Sequence, residues 1–190
     1  MTTLRRAEYA IPTGDAGTAE TVAAMRDLIV AGAALPIVQD TARMLLTTVP
    51  RDSNPAEYGY RVIGAIREYV ANRWEFRDDP PREELLYTPD VQLHMIDALG
   101  VMRADCDDAA ILFGALGLAL GFEVCIVVVA FLTPDAPYTH TWSQLRPATG
   151  GAVWIEGDVT RTMQAIPTDA ISRYATTLIR PAITGEQAFR

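Results

Sequence analysis

Three residues have the types and the order for nucleophilic acyl chemistry: Cys106, His140 and Asp158. Cys106 lies in Asp105-Cys106-Asp107-Asp108, directly before an apolar run. Asp105 is a good N-cap residue, which puts Cys106 at the first position of a helix. There the backbone dipole favours negative charge, so a thiolate gains over a thiol. Asp105, Asp107 and Asp108 act the other way if their carboxylates face the sulfur. Taken alone, Cys106 also reads as a buried, inert thiol.

His140 follows 34 residues later, in Tyr138-Thr139-His140-Thr141-Trp142, a segment of strand character. An imidazole beside a thiol can take its proton and activate it. A third group must then orient the ring. Asp158 closes the next strand region, in Trp154-Ile155-Glu156-Gly157-Asp158. Cysteine on a helix start, histidine on one strand and aspartate on the next form a workable nucleophile, base and orienter.

The elements that must hold these groups are legible in outline. Residues 1–13 read as an extended arm ending at Pro12-Thr13-Gly14. Thr18 caps a predicted helix with Thr21 to Leu35 as its body, where Val22, Met25, Leu28 and Ile29 recur at helical spacing. Pro36 interrupts, and Ile37–Leu46 is a second short helix. Pro50 to Pro55 is a loop, and a third helix runs from Ala56 to Trp74. Its apolar face carries Tyr58, Val62, Ile66, Tyr69 and Val70. Pro80-Pro81 stops any helix, and Leu85-Leu86-Tyr87 is extended. Thr88 as cap and Pro89 at the first helical position start a short helix through Leu99.

Ala109–Leu120 is apolar on every side and favours a buried helix. Beyond Gly121 the pattern changes to strands at Phe122–Leu132, Tyr138–Arg146 and Ala152–Glu156, whose short links favour an antiparallel meander. The tail from Ile166 to Arg190 mixes a short helix with a strand at Thr176–Ile179. Helices first and strands later make the fold class α+β. The expected organisation is an arm over 1–17, one domain over 18–165 and an extension over 166–190.

Asp105-Cys106-Asp107-Asp108-Ala109-Ala110, then His140-Thr141-Trp142, then Trp154-x-x-x-Asp158-x-Thr160, resemble the three motifs of the transglutaminase-like superfamily. The resemblance spans about Tyr60 to Thr162. Asp78-Asp79-Pro80-Pro81-x-x-Glu84-Leu85-Leu86-x-Thr88-Pro89 is similar to short bacterial and tailed-phage members. The resemblance implies a papain-like α+β core, with N-terminal helices and the buried Cys-bearing helix packed on an antiparallel sheet. It implies Cys106 as nucleophile, His140 as general base and acid, and Asp158 as orienter. Ala104 stands where many members have Gly, and Gln144 where many have Glu. One oxyanion donor is expected to be the Cys106 backbone N–H; Trp74 and Tyr87 side chains are candidates for the second. The implied reaction is attack on a peptide or glutamine-type amide through a thioester, with hydrolysis favoured over cross-linking.

Composition narrows the partners. The 190 residues carry 24 acidic and 16 basic residues, all of the latter Arg, for a formal net charge of −8. No concentrated positive surface for nucleic acid is expected, nor attraction to an anionic membrane. Ala109–Leu132 is long enough to span a bilayer, but Gly121 divides it into a helix-favouring and a strand-favouring half. The N-terminus lacks the apolar run of a secretory signal, so the expected place is the cytoplasm, or a virion if the chain is phage-encoded. A protein or peptide substrate is the expected partner. No cofactor is expected, since no GxGxxG or P-loop occurs.

Two rivals stand beside the enzyme. A metal site on the Asp105–Asp108 cluster has too few soft ligands and no EF-hand spacing. A non-catalytic structural or binding protein on the same fold, such as a phage virion or assembly component, is the alternative. His94 reads as a surface or capping histidine, Cys125 as a buried unreactive thiol, and Trp142 and Trp154 as packing around His140. Asp78-Asp79 and Glu83-Glu84 read as a solvated loop; a second reading makes them the border of a cleft that favours basic peptides.

Overall fold

At Gly121 the chain turns with φ +78°, the left-handed region that only glycine enters without strain. That turn converts the long apolar run into two elements, helix α5 (Cys106–Ala119) and strand β5 (Phe122–Phe131). The computed structural model describes residues 6–9, 14–80, 84–131, 133, 135–149, 151–159 and 171–181. Around the α5–β5 pair lie helices α1 (Asp15–Ala33), α2 (Pro36–Thr48), α3 (Pro55–Ala71) and α4 (Pro89–Leu99). Short strands β1 (Arg6–Tyr9), β2 (Trp74–Phe76), β3 (Glu84–Tyr87) and β4 (Met102–Ala104) link them. Strands β6 (His140–Pro147), β7 (Ile155–Glu156) and β8 (Ile171–Ile179) complete the set.

The main sheet is antiparallel, in the order β7-β6-β5-β8. The expected meander therefore holds for β5, β6 and β7, while β8 adds on the far side of β5. β8 is also longer than expected, because its residues pair with β5 from Phe131 back to Val124. The third strand shrinks to Ile155–Glu156, and β6 begins at His140 instead of Tyr138. Residues 160–170 and 182–190, where a short helix is expected in part, lie outside the described residues.

β5 is buried on both faces from Val124 to Ala130, which explains the unbroken apolar run there. Val124 and Ile126 face the main core under α5, while Cys125, Val127 and Val129 join Trp142 in a second cluster. Helix α5 packs close to β6 because it presents glycine there: a Cβ on Gly117 would lie 2.4 Å from Leu145 side-chain atoms. Its other sides are covered by α1, α2 and α3. Deep burial is thus what its all-round apolar sequence requires.

Helix starts follow local chemistry. Asn54 caps α3 by accepting from the Ala56 and Glu57 N–H groups, and Pro55 takes the first position. α1 begins at Asp15, with Gly14 as its cap residue; Thr18 lies inside the helix and donates back to the Gly14 carbonyl at 3.4 Å. Residues of the expected arm are engaged: Arg6–Tyr9 pairs antiparallel with β3, Arg6 opposite Tyr87. Trp74 leaves the third helix and opens β2, which pairs in parallel with β4, a pairing the sequence did not announce. Among the described residues no single helix is long and apolar enough to cross a membrane.

Candidate functional site

Asp105 caps α5 as its residue type predicts, accepting from the Asp107 N–H at 3.1 Å. Cys106 is therefore the first helical residue. Its thiol is nevertheless pushed far up from the ordinary value. Burial is the largest cause, and the charges of Asp107 and Asp105 add to it. A backbone hydrogen bond from Thr141 on β6 pulls the other way. The thiol donates to Asp107 Oδ1 at 3.4 Å. The helix start does not yield a standing thiolate here, because burial first, and then the neighbouring acids Asp107 and Asp105, disfavour the charged sulfur.

His140 is the first residue of β6 and is 8% exposed. Its Nε2 lies 2.7 Å from Asp158 Oδ2. With Nε2–H donated to the carboxylate, Nδ1 holds the lone pair and is the nitrogen left for a proton. The imidazole sits 5.7 Å from the Trp142 ring, tilted by 37°. Trp154 packs one layer away in the Cys125–Trp142 cluster, under the Arg146 guanidinium. Asp158 is held from behind: the Gly157 N–H donates to the Ser143 carbonyl at 2.9 Å. Gly157 also sits against the Cys-bearing helix, since a Cβ there would lie 2.1 Å from Phe113 Cδ1. No sequence motif flagged Gly157; its signal is a glycine immediately before the orienting acid.

Asp79 and Glu84 depart from the expected solvated loop, and Glu83 lies outside the described residues. Asp78 is exposed. Asp79 instead accepts from the Leu85 N–H, and Glu84 hydrogen bonds with Asp107. With the α5 start they form a carboxyl cluster. Asp105 is pushed up to about 7, first by burial and then by the charges of Asp79 and Glu84, against its two capping N–H groups. Asp107 and Asp108 lie well above the usual carboxylate range, again through burial first. Asp108 is fully buried, and its Oδ1 accepts from the Tyr87 N–H at 2.6 Å. Backbone anchoring of β3 to α5 is what draws these acids together. The prolines between Asp79 and Glu84 hid that in the sequence.

Cys106, His140, Thr141, Glu84, Asp105 and Asp107 all line one cavity of about 320 Å³. Its opposite wall is the first turns of α1, from Gly17 to Met25. The structure thus brings Cys106 and His140 to one cavity and pairs His140 with Asp158, while the thiol's hydrogen bond goes to Asp107 and not to His140. Neither expected oxyanion side chain reaches the cavity. Trp74 Nε1 donates to the Ala104 carbonyl at 3.2 Å, and the Tyr87 main chain is tied to Asp108. The Thr141 backbone N–H is a donor beside the sulfur.

The remaining residues fall where their types suggest. His94 is exposed and contacts the Asp90 carbonyl through Nδ1 at 2.6 Å. Cys125 is buried, and both cysteines are free thiols. Among the described residues no group of three His, Cys, Asp or Glu side chains converges as a metal site. The chain matches no protein-family model, no curated protein and no solved structure.

Proposed function

We propose that the chain is a transglutaminase-like cysteine hydrolase or acyltransferase on a papain-like core. One observation carries the reading: His140, paired with Asp158 at 2.7 Å, lines the same cavity as Cys106. A peptide or glutamine-type amide enters with its carbonyl at Cys106. The side chain turns from Asp107 toward His140, Nδ1 takes the thiol proton, and sulfur bonds to the carbonyl carbon. Because the resting thiol is protonated, proton removal accompanies attack. The oxyanion is met by the Cys106 and Thr141 N–H groups. His140 then protonates the departing amine, leaving a thioester. Water hydrolyses it, with an amine acceptor giving transamidation instead. Glu84, Asp105 and Asp107 favour a substrate with positive charge near the scissile bond. The cytoplasm, or a virion for a phage-encoded chain, is the proposed setting, with a protein or peptide as partner.

The hydrogen bond from Cys106 to Asp107 and the raised thiol favour a second reading, a non-catalytic structural or binding component. Alkylation of each cysteine against pH, followed by mass spectrometry, separates the two. A catalytic site predicts that His140→Ala slows Cys106 modification at neutral pH, and that basic peptide amides are turned over by the parent but not by Cys106→Ala. Modification insensitive to His140, with no turnover, leaves the structural reading.

A further inference from the structure

A second cavity of about 320 Å³ adjoins the first. The two share Thr18 and Val22 of α1, Val128 of β5, and Tyr138 in the segment before β6. They are therefore successive parts of one groove between α1 and the sheet. Their chemistry differs. The first part presents Glu84, Asp105 and Asp107. The second is walled by Ala19, Val22, Ile126, Val128 and Ala175. Its charged lining residues, among those described, are Asp15 and Arg173, and they neutralise each other through a 2.6 Å ion pair. The Arg173 guanidinium also lies 4.3 Å from the centre of the Tyr138 ring, which closes that end with a satisfied cation.

We infer that this second cavity is a subsite for an uncharged apolar side chain of the substrate, next to the carbonyl attacked by Cys106. The occupant follows from continuity with the Cys106 cavity, from size and from charge. A group anchored at the thiol reaches the second cavity past Val22, Val128 and Tyr138 without leaving the groove. The volume fits one side chain of aromatic or branched aliphatic size. A charged group would find no uncompensated partner there and would lose its hydration. The substrate class becomes an amide with a basic group at the carboxyl-lined end and an apolar side chain at the other. The assignment rests on the reading of Cys106 as the reactive residue.

Two reagents test it on the full chain: iodoacetamide and N-(2-phenylethyl)iodoacetamide, each normalised to its rate with N-acetylcysteine. The phenylethyl reagent is expected to modify Cys106 roughly tenfold faster or more, with saturation, because burying an aromatic group of this size is worth at least that factor. Ala175→Trp and Ala19→Phe each fill the cavity from an exposed position. Both should abolish the excess, read as the ratio of the two normalised rates within each variant. Equal normalised rates in the parent overturn the subsite, as does an excess that survives both variants. Thermal-shift titration of Cys106→Ala with N-acetyl-2-phenylethylamine needs no thiol reactivity. It should stabilise that protein but not its Ala175→Trp form, and no shift in either overturns the proposal. His140→Ala keeps the two readings apart. If it leaves the iodoacetamide rate unchanged while the phenylethyl excess persists, the catalytic reading fails and the subsite stands.

Discussion

The Cys106 thiol donates its hydrogen to Asp107 Oδ1 at 3.4 Å, and Asp107 in turn hydrogen bonds with Glu84. The nucleophile candidate is thus tied to the neighbouring residue on its own helix. The Asp107 charge also holds the thiol up. Asp107→Asn removes the charge and keeps the shape. We expect Cys106 alkylation near pH 8 to rise by about tenfold for each unit by which the thiol falls, since the thiolate is the reacting form. Rates measured against pH decide it. An unchanged profile would mean that burial alone sets the thiol and that Asp107 is a bystander.

Asp105 gives a prediction in stability. Its carboxyl is raised from 3.8 to about 7 in the folded chain. Between those values the folded state holds more protons than the unfolded one, so stability falls as pH rises through that window. Asp105→Asn keeps a good N-cap acceptor while removing the charge. The variant should be more stable than the parent at about pH 8, and its advantage should vanish below about pH 4. Urea unfolding at a series of pH values measures this. A constant difference across pH would show that the cap, and not the charge, governs the effect.

The sequence made the frame of the site legible and left its environment hidden. Asp105 as cap, Cys106 at the helix start, Pro55 and Pro89 opening helices, and the change of period at Gly121 all act over a few residues. Such local chemistry is readable along a chain. The sign of the effect on Cys106 was not readable, because it depends on where carboxylates point. Glu84 reaches Asp107 only because the Tyr87 N–H is anchored on Asp108, 21 residues away. The parallel β2–β4 pair and the long β8 are likewise set by partners distant in sequence. Gly157 shows the same limit: its need for a missing Cβ comes from Phe113 on another element.

Asp158→Asn tests the orienting role. The amide keeps the volume but no longer holds an imidazole in one tautomer by charge. At an orienting acid of a serine-protease triad such a swap costs about 10⁴ in turnover. Here we expect a loss of roughly two to four orders in amide turnover, with thermal stability changed far less. The His140 ring nitrogens, observed by ¹⁵N NMR, should show Nε2–H as the main tautomer in the parent and a mixture in the variant. A parent with Nδ1–H as its main tautomer would remove His140 from the role of base toward Cys106.

Gly157→Ala joins packing to the site. The added Cβ would lie 2.1 Å from Phe113 Cδ1, and Phe113 is fully buried in the core. The ring therefore has no solvent to turn into, and the backbone before Asp158 must move instead. Overpacking of this kind costs about 1–3 kcal/mol. For a chain of this size the melting temperature should fall by roughly 2–4 °C per kcal/mol. The displacement also pulls Asp158 from His140, so the effect of His140→Ala on Cys106 alkylation should shrink in the Gly157→Ala background. Phe113→Leu removes the ring atoms that clash. Its combination with Gly157→Ala should restore part of that coupling, which a double-mutant cycle reads directly. Stability lost with the coupling intact would instead separate the Phe113 contact from the placement of Asp158.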